Sequence, residues 1–262
     1  MNHIFQQDCI DGMRTNLTDG CVDVIVTSPP YNIGVAYNTH KDDMPFDEYL
    51  AWMGEVAAEC RRVLKGRGSL FFNIGDKPSD KLRSLRVAER ITEHLQLQNT
   101  IHWVKSIAVP EVDVNIGHYK PVNSARYLNN CHEYIFHFTP AGDVLLDKLA
   151  IGVPYQDKSN VGRWKVAKQD VRGRGNQWFI PYKTVQSQKE HPAAFPPLLA
   201  EMCIKLHGLP CDGRLLVLDP FMGSGSTALA AEKLGCDWVG FEIDPEYVKL
   251  VRAKVDCSLS AE

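Results

Sequence analysis

The 262-residue chain lacks three features that would settle its class at once: an apolar run long enough to cross a membrane, a cysteine framework, and a strong excess of charge of one sign. No stretch reaches the roughly 18 apolar residues of a spanning helix. The opening "MNHIFQQDCIDGM" has neither the basic nor the apolar region of a signal peptide, so no membrane partner and a cytoplasmic location are expected. Eight cysteines, at 9, 21, 60, 131, 203, 211, 236 and 257, form no C-x-x-C pair and no regular spacing, which favours reduced thiols over disulfides or a zinc site. His102, His118, His132, His137 and His207 likewise fall outside metal-ligand spacing, and no metal is expected. A net charge of −3 gives no global field that would attract nucleic acid. What is present is a hydrophobic fraction of 44%, enough for a full core at a length that suits one α/β domain with an insertion.

Strand and helix patterns alternate at both ends of the chain. "CVDVIVTS" (21–28) is apolar and β-branched; "DEYLAWMGEVAAECRRVLK" (47–65) then places Leu50, Met53, Val56, Ala57, Cys60, Val63 and Leu64 on one helical face. A strand over 68–76, a helix over 84–97 and strands over 100–105 and 133–140 follow. From 141 to 190 the pattern dissolves into Gly, Asn, Lys, Arg and aromatics. Order returns as a helix (195–208), strand (213–221), helix (225–235), strand (237–243) and helix (245–255). Strands separated by helices predict a doubly wound, mostly parallel sheet of the Rossmann-like type, covered on both faces and carrying an inserted irregular region.

Two strand ends carry chemistry. In "LLVLDPFMGSGSTALAAEKLG" (215–235) a buried strand ends at Asp219, and a turn with Gly223 and Gly225 lets a ligand approach backbone N–H groups before a helix begins. The next strand ends at Glu242, where a carboxylate can accept both hydroxyls of a ribose. With no Lys before Ser226 or Thr227, this is not a P-loop. The other end is "TSPPYN" (27–32). Two prolines make a stiff corner without N–H groups, at which Ser28 Oγ and the Pro29 carbonyl can accept the two hydrogens of an exocyclic amino group. Tyr31 offers a ring face for a heterocycle, and Asn32 an amide for either Watson–Crick edge. A plain Pro-Pro turn and a plain Gly-rich turn are the bland alternatives.

Taken together, "SPPY" (28–31) and "DPFMGSGST" (219–227) resemble the catalytic and methionine-binding motifs of the DNA amino-methyltransferases, which move a methyl group from S-adenosylmethionine to cytosine N4 or adenine N6. Their order, catalytic motif first, is similar to the permuted β group. The resemblance covers nearly the whole chain apart from about 141–190, where the family keeps its variable target-recognition region. It implies a catalytic half (1–140), a recognition insertion (141–190) and a cofactor half (191–262). It implies that Ser28, Pro29, Pro30 and Tyr31 are catalytic. Asp219, Pro220, Phe221, Gly223, Gly225, Thr227 and Glu242 would hold the cofactor. "EHPAAFP" (190–196) adds His191, Pro192 and Phe195 beside the methionine moiety, and "QQDCIDGM" (6–13) adds Asp8 and Cys9. The resemblance implies double-stranded DNA as the partner, and suggests a homodimer and a restriction endonuclease of the same system as further partners.

The middle segment has a physical signature of its own. Between 158 and 189 stand Lys158, Arg163, Lys165, Lys168, Arg172, Arg174, Lys183 and Lys189 against one acid, Asp170, with Trp164, Trp178 and Phe179 interleaved, a local footprint for phosphates. The long stretch 107–130 adds Asn123, Arg126 and Tyr127 as DNA contacts. Lys165, Lys168, Arg172, Arg174 and Arg126 are the phosphate contacts expected. The expected chemistry is direct in-line transfer to a flipped base with no cysteine nucleophile. Family members with Ser in place of Asp before "PPY" more often methylate cytosine N4, so the resemblance favours cytosine N4 over adenine N6. Three other readings remain. A dinucleotide-dependent oxidoreductase would leave "TSPPYN" idle and would bind NADH. A glutamine or RNA amino-methyltransferase places its cofactor motif before the Pro-Pro corner. A non-catalytic DNA-binding relative would have lost motif residues that are all present here.

Overall fold

In the computed structural model the described residues are 2–119, 121–161, 169–181, 194–211 and 213–259. Strand β1 (Asn2–Gln6) leads into helix α1 (Cys9–Asn16), then β2 (Val22–Thr27), α2 (Phe46–Val63), β3 (Leu64–Ile74), α3 (Arg83–Ile91) and β4 (Gln96–Val104). A hairpin of β5 (Ser106–Val109) and β6 (Val114–Gly117) precedes β7 (His132–Thr139) and β8 (Gln177–Phe179). The chain ends with α4 (Pro197–His207), β9 (Leu216–Asp219), α5 (Ser226–Lys233), β10 (Asp237–Glu242) and α6 (Pro245–Leu259). Eight strands form one sheet in the order β1-β10-β9-β2-β3-β7-β4-β8. The first five run parallel, β7 is antiparallel to both neighbours, and β8 is parallel to β4.

Period-two alternation sends the apolar side chains of each central strand to opposite faces. Val24 and Val26 of β2, Phe71 of β3 and Val217 of β9 pack with Leu199, Cys203, Ala228 and Val251 of α4, α5 and α6. Ile25, Leu70, Phe72 and Leu218 point the other way, onto Met13, Met53, Val56 and Val87 of α1, α2 and α3. Met53 and Phe71 are at most 1% exposed, and burying side chains of this size contributes about 1.5–3 kcal/mol each. Gly12 permits a close contact between α1 and β10, because a Cβ there would stand 2.3 Å from the Phe241 ring.

Several sequence expectations shift. The helix expected over 84–97 stops at Ile91, and Gln96 and Leu97 already pair in β4 with Thr139 and Phe138. The stretch 107–130 begins with a hairpin, and the segment 141–190 supplies β8, whose Trp178 is 1% exposed in the core. Lys165, Lys168, His191 and Pro192 lie outside the described residues. Among the described residues no helix is long and apolar enough to cross a membrane, and no group of three or more His, Cys, Asp or Glu could hold a metal ion.

Parallel strands end on one edge, so Ser28, Gly75, Pro220 and Ile243 leave the sheet together. Strand order reverses between β9 and β2, which places both motifs at the crevice where such sheets take their ligands.

Candidate active site

Two spaces open at this edge. A cavity of about 120 Å3 lies against Asp8, Cys9, Ser28, Pro220, Phe221, Gly223, Glu242 and Tyr247. A cleft of about 630 Å3 runs past Ser28, Pro29, Tyr31, Lys77, Trp103, Lys105, Glu133 and Phe195. Ser28 and Tyr37 line both.

The smaller cavity is built by the Gly-rich turn and the end of β10. Glu242 accepts the Gly223 N–H at 2.8 Å and the Asp244 N–H at 2.9 Å, one on each carboxylate oxygen, and burial raises its pKa. Asp8 caps α1 through the N–H groups of Ile10 and Asp11, which holds its carboxylate at the rim. Burial, then Asp8, raises the pKa of the Cys9 thiol, so it is no thiolate nucleophile at neutral pH. Phe221 meets Trp52 edge-on with ring centroids 5.6 Å apart, and Trp52 stacks on His40 at 5.7 Å.

Not every motif residue faces the cavity. Asp219 is 1% exposed and absent from its wall. Its oxygens accept the hydroxyls of Thr27 and Thr227, both at 2.7 Å, and the Phe221 N–H at 3.0 Å. Burial pushes its pKa up to about 6. The buried carboxylate thus pins the Gly-rich turn to β2 and α5, and Thr227 belongs to the same lock. Gly225 starts α5 at a φ of 86° that favours glycine, and a Cβ there would press Val251. Phe195 lines the larger cleft instead of the smaller cavity, its carbonyl accepting Ser226 Oγ at 2.6 Å.

The Pro-Pro corner is locked from beneath. Tyr49, fully buried, donates its hydroxyl to the Pro30 carbonyl at 2.8 Å, so that oxygen is already engaged. Buried Asp42 accepts the N–H groups of Asn32, Ile33 and Val35, shaping the loop that carries Tyr37 and His40. Asn32 sits at a φ of 56° and donates its amide to the Met44 carbonyl at 2.8 Å; it does not line the cleft, and the expected contact with a Watson–Crick edge is not made from there.

Behind the corner stand residues that the sequence did not single out. Tyr31 donates its hydroxyl to Glu133 at 2.9 Å, lies 2.9 Å from Ser28 Oγ and accepts the Asn73 amide at 2.8 Å. Asn73 also donates to Glu133 at 2.7 Å, and Lys105 forms an ion pair with the other Glu133 oxygen. Burial first, then the Glu133 charge, holds the Tyr31 pKa well above its usual value. No local motif could reveal this group, because 102 residues separate Tyr31 from Glu133; only the pairing of β3 with β7 joins them.

Of the expected phosphate contacts, Arg126 and Arg172 are exposed. The Arg126 guanidinium lies 5.2 Å from the Tyr127 ring centroid. Arg174 is half-buried, its Nε donating to the Ile151 carbonyl at 3.1 Å. Neither Arg172 nor Arg174 is among the described residues that line the cleft, which include Lys77 and Lys105.

A DNA methylase family model, that of the N6 and N4 enzymes, matches residues 22–253. The chain is 31% identical over 265 residues to the type II methyltransferase M.BglII of Bacillus subtilis, covering 95% of this chain and 68% of that one. It is 27% identical over 241 residues to the DNA adenine methyltransferase YhdJ of Escherichia coli K12, covering 90% and 76%. Its fold is similar to the solved PvuII cytosine-N4-specific DNA methyltransferase, with a TM-score of 0.71 at 19% identity over 96% of this chain and 85% of that one. The chain belongs to the DNA methylase family and is an S-adenosylmethionine-dependent DNA amino-methyltransferase.

Proposed function

We propose that the protein methylates N4 of cytosine in double-stranded DNA, acting on a base turned out of the duplex into the larger cleft. One observation carries this reading: Ser28 lines both the smaller cavity and the larger cleft, so a methyl donor in one and an amino group in the other would meet at its hydroxyl. The wall of the smaller cavity fits S-adenosylmethionine chemically, with a carboxylate for ribose hydroxyls, aromatic flanks and a second carboxylate at the rim. Asp8, Cys9, Pro220, Phe221, Gly223 and Glu242 would hold it, and when bound there it supplies an electrophilic methyl group. Asp219, Gly225 and Thr227 act at one remove, by shaping the turn.

The chain's own residues orient and polarise the target. Ser28 Oγ and the Pro29 carbonyl accept the amino hydrogens, favouring a tetrahedral nitrogen whose lone pair is aimed across the corner. Tyr31 supplies ring surface along the cleft. Pro29 and Pro30 keep the corner rigid, so the acceptors need no reorganisation. Arg126 and Arg172 contact phosphates outside the cleft, with Lys165 and Lys168 proposed for the same role.

Serine in place of aspartate before Pro-Pro-Tyr supports cytosine over adenine. The likeness to an adenine enzyme, YhdJ, favours N6 as the second reading. Digestion of DNA methylated by the pure protein, followed by mass spectrometry of the nucleosides, separates them: N4-methylcytosine is expected, N6-methyladenine alone would refute the cytosine assignment, and C5-methylcytosine would refute the mechanism.

A further inference from the structure

We infer that Glu133, held by Lys105 and Asn73, fixes the direction of the hydrogen bond between Ser28 and Tyr31, so that Ser28 offers the target amino group lone pairs and never its proton. The inference rests on the proposed role of Ser28 and adds a positioning residue to it.

The reasoning is a count of protons. A phenol has one proton to give and two lone pairs to receive with. Tyr31 gives that proton to Glu133 Oε2 at 2.9 Å. A carboxylate ion-paired to Lys105 only accepts, so the direction of this bond is set. The Tyr31 oxygen then has two places to receive: the Asn73 amide fills one at 2.8 Å, and Ser28 Oγ, at 2.9 Å, can fill the other only by donating. Asn73 cannot turn round, since its oxygen would then face the Glu133 carboxylate, which now takes the amide N–H at 2.7 Å. The serine proton is thereby committed away from the cleft, and both serine lone pairs are left for the incoming N–H.

Without the carboxylate the same hydroxyl pair could run in reverse. Tyr31 would donate to Ser28, and the serine proton would swing toward the base, donor against donor. An amino group presents only donors at its hydrogens, so a reversed serine would repel the substrate that it should hold. The surroundings keep Glu133 in place. Its side chain is 14% exposed and that of Lys105 15%, both on the cleft wall. Gly75 leaves the room: a Cβ there would stand 3.0 Å from Glu133 Cγ and 3.2 Å from Tyr31 Cε2. Lys105 Nζ lies 4.9 Å from the centre of the Trp103 ring, which shields the pair on one side.

The test is a double-mutant cycle read by single-turnover transfer of labelled methyl from S-adenosylmethionine to long, unmethylated, amplified DNA. Glu133→Leu should slow transfer on the order of 10–100-fold, the cost of a donor left facing a donor, with the cofactor Kd unchanged. Tyr31→Phe, which removes the relay, should cost a similar factor, and it tests the inference alone if Glu133→Leu fails to fold. In a Ser28→Ala background, Glu133→Leu should cost no further rate, because the end of the chain of bonds is gone. A merely structural Glu133 would lower the rate by the same factor with or without Ser28, and that result would overturn the inference while leaving the role of Ser28 standing. A Ser28→Ala protein that transfers methyl at the wild-type rate would overturn both.

Discussion

Two carboxylates at neighbouring strand ends do different work, and the difference follows from who occupies their lone pairs. Asp219 spends its oxygens on two hydroxyls and an N–H inside the protein, whereas Glu242 accepts two N–H groups and still stands on the cavity wall. Glu242→Gln should raise the Kd for S-adenosylmethionine about 10–100-fold in calorimetry, the loss expected when a charged acceptor becomes neutral. Its melting temperature should fall too, because the new NH2 group faces one of the two N–H donors, but by less than that of Asp219→Ala. Asp219→Ala strands the buried Thr27 hydroxyl and the Phe221 N–H, leaves Thr227 only the Val26 carbonyl at 3.2 Å, and should destabilise the fold by about 2–4 kcal/mol in denaturant titrations, with weaker cofactor binding as a consequence. Equal stability of the two variants would contradict this division. The sequence revealed both carboxylates through their position after apolar strands. Which one is buried depends on Thr27, 192 residues away from Asp219, and that information is not local.

At the scale of elements, strands and helices with strong periodicity were legible, and short or half-exposed ones were not. In α2 the expected Met53, Val56, Ala57, Cys60 and Val63 are buried, since the apolar spacing repeats over 18 residues, whereas Leu50 is half-buried and Leu64 already begins β3. In β1 only Ile4 is buried, and β8 has three residues, too few for any period to register. The apolar spacing of α3 continues past its end because Leu95 follows Ile91 by four residues; Leu95 is buried as the chain turns toward β4, while Leu97, 41% exposed, already pairs in β4. The lead-in to β8 carries two arginines with different tasks. Arg174 is tied to the Ile151 carbonyl, and Arg172 is exposed with only its backbone bridged to Val153. Arg172→Ala should therefore lower DNA affinity and flatten the plot of log affinity against log salt by roughly one unit, the loss of one phosphate contact. An unchanged slope would remove Arg172 from the DNA surface.

Across the whole molecule, acid should undermine the sheet from its far side. His137 is buried at the β3–β7 pairing, stacked 4.5 Å from Phe71, and receives the Asn99 amide on Nδ1. It must then carry its proton on Nε2 and donate to Ser69 Oγ, which in turn donates to His207 Nδ1. Burial pushes the His137 pKa down to about 3 from 6.5, and lowers that of His207 as well. A depressed pKa in the folded state means stability that is full above the unfolded value and lost as pH falls below about 6.5, by up to about 1.4 kcal/mol per group for each pH unit. Asp219, raised to about 6, works the other way, its contribution growing as pH falls below 6. Glu242, also raised by burial, acts with Asp219, while His40 and His132 are lowered like His137 and His207. Four imidazoles outweigh two carboxyls, so the denaturant midpoint should drop between pH 7 and pH 5, and His137→Gln should flatten that drop. The opposite edge of the sheet has a different consequence for behaviour in solution. Ser28 and Tyr37 form a wall common to the smaller cavity and the larger cleft, so the proposed cofactor and base would touch the same two side chains. Affinities for two ligands that share a wall are thermodynamically linked, and the linkage is reciprocal: whatever factor a captured base adds to the hold on the cofactor, the cofactor adds to the hold on the base.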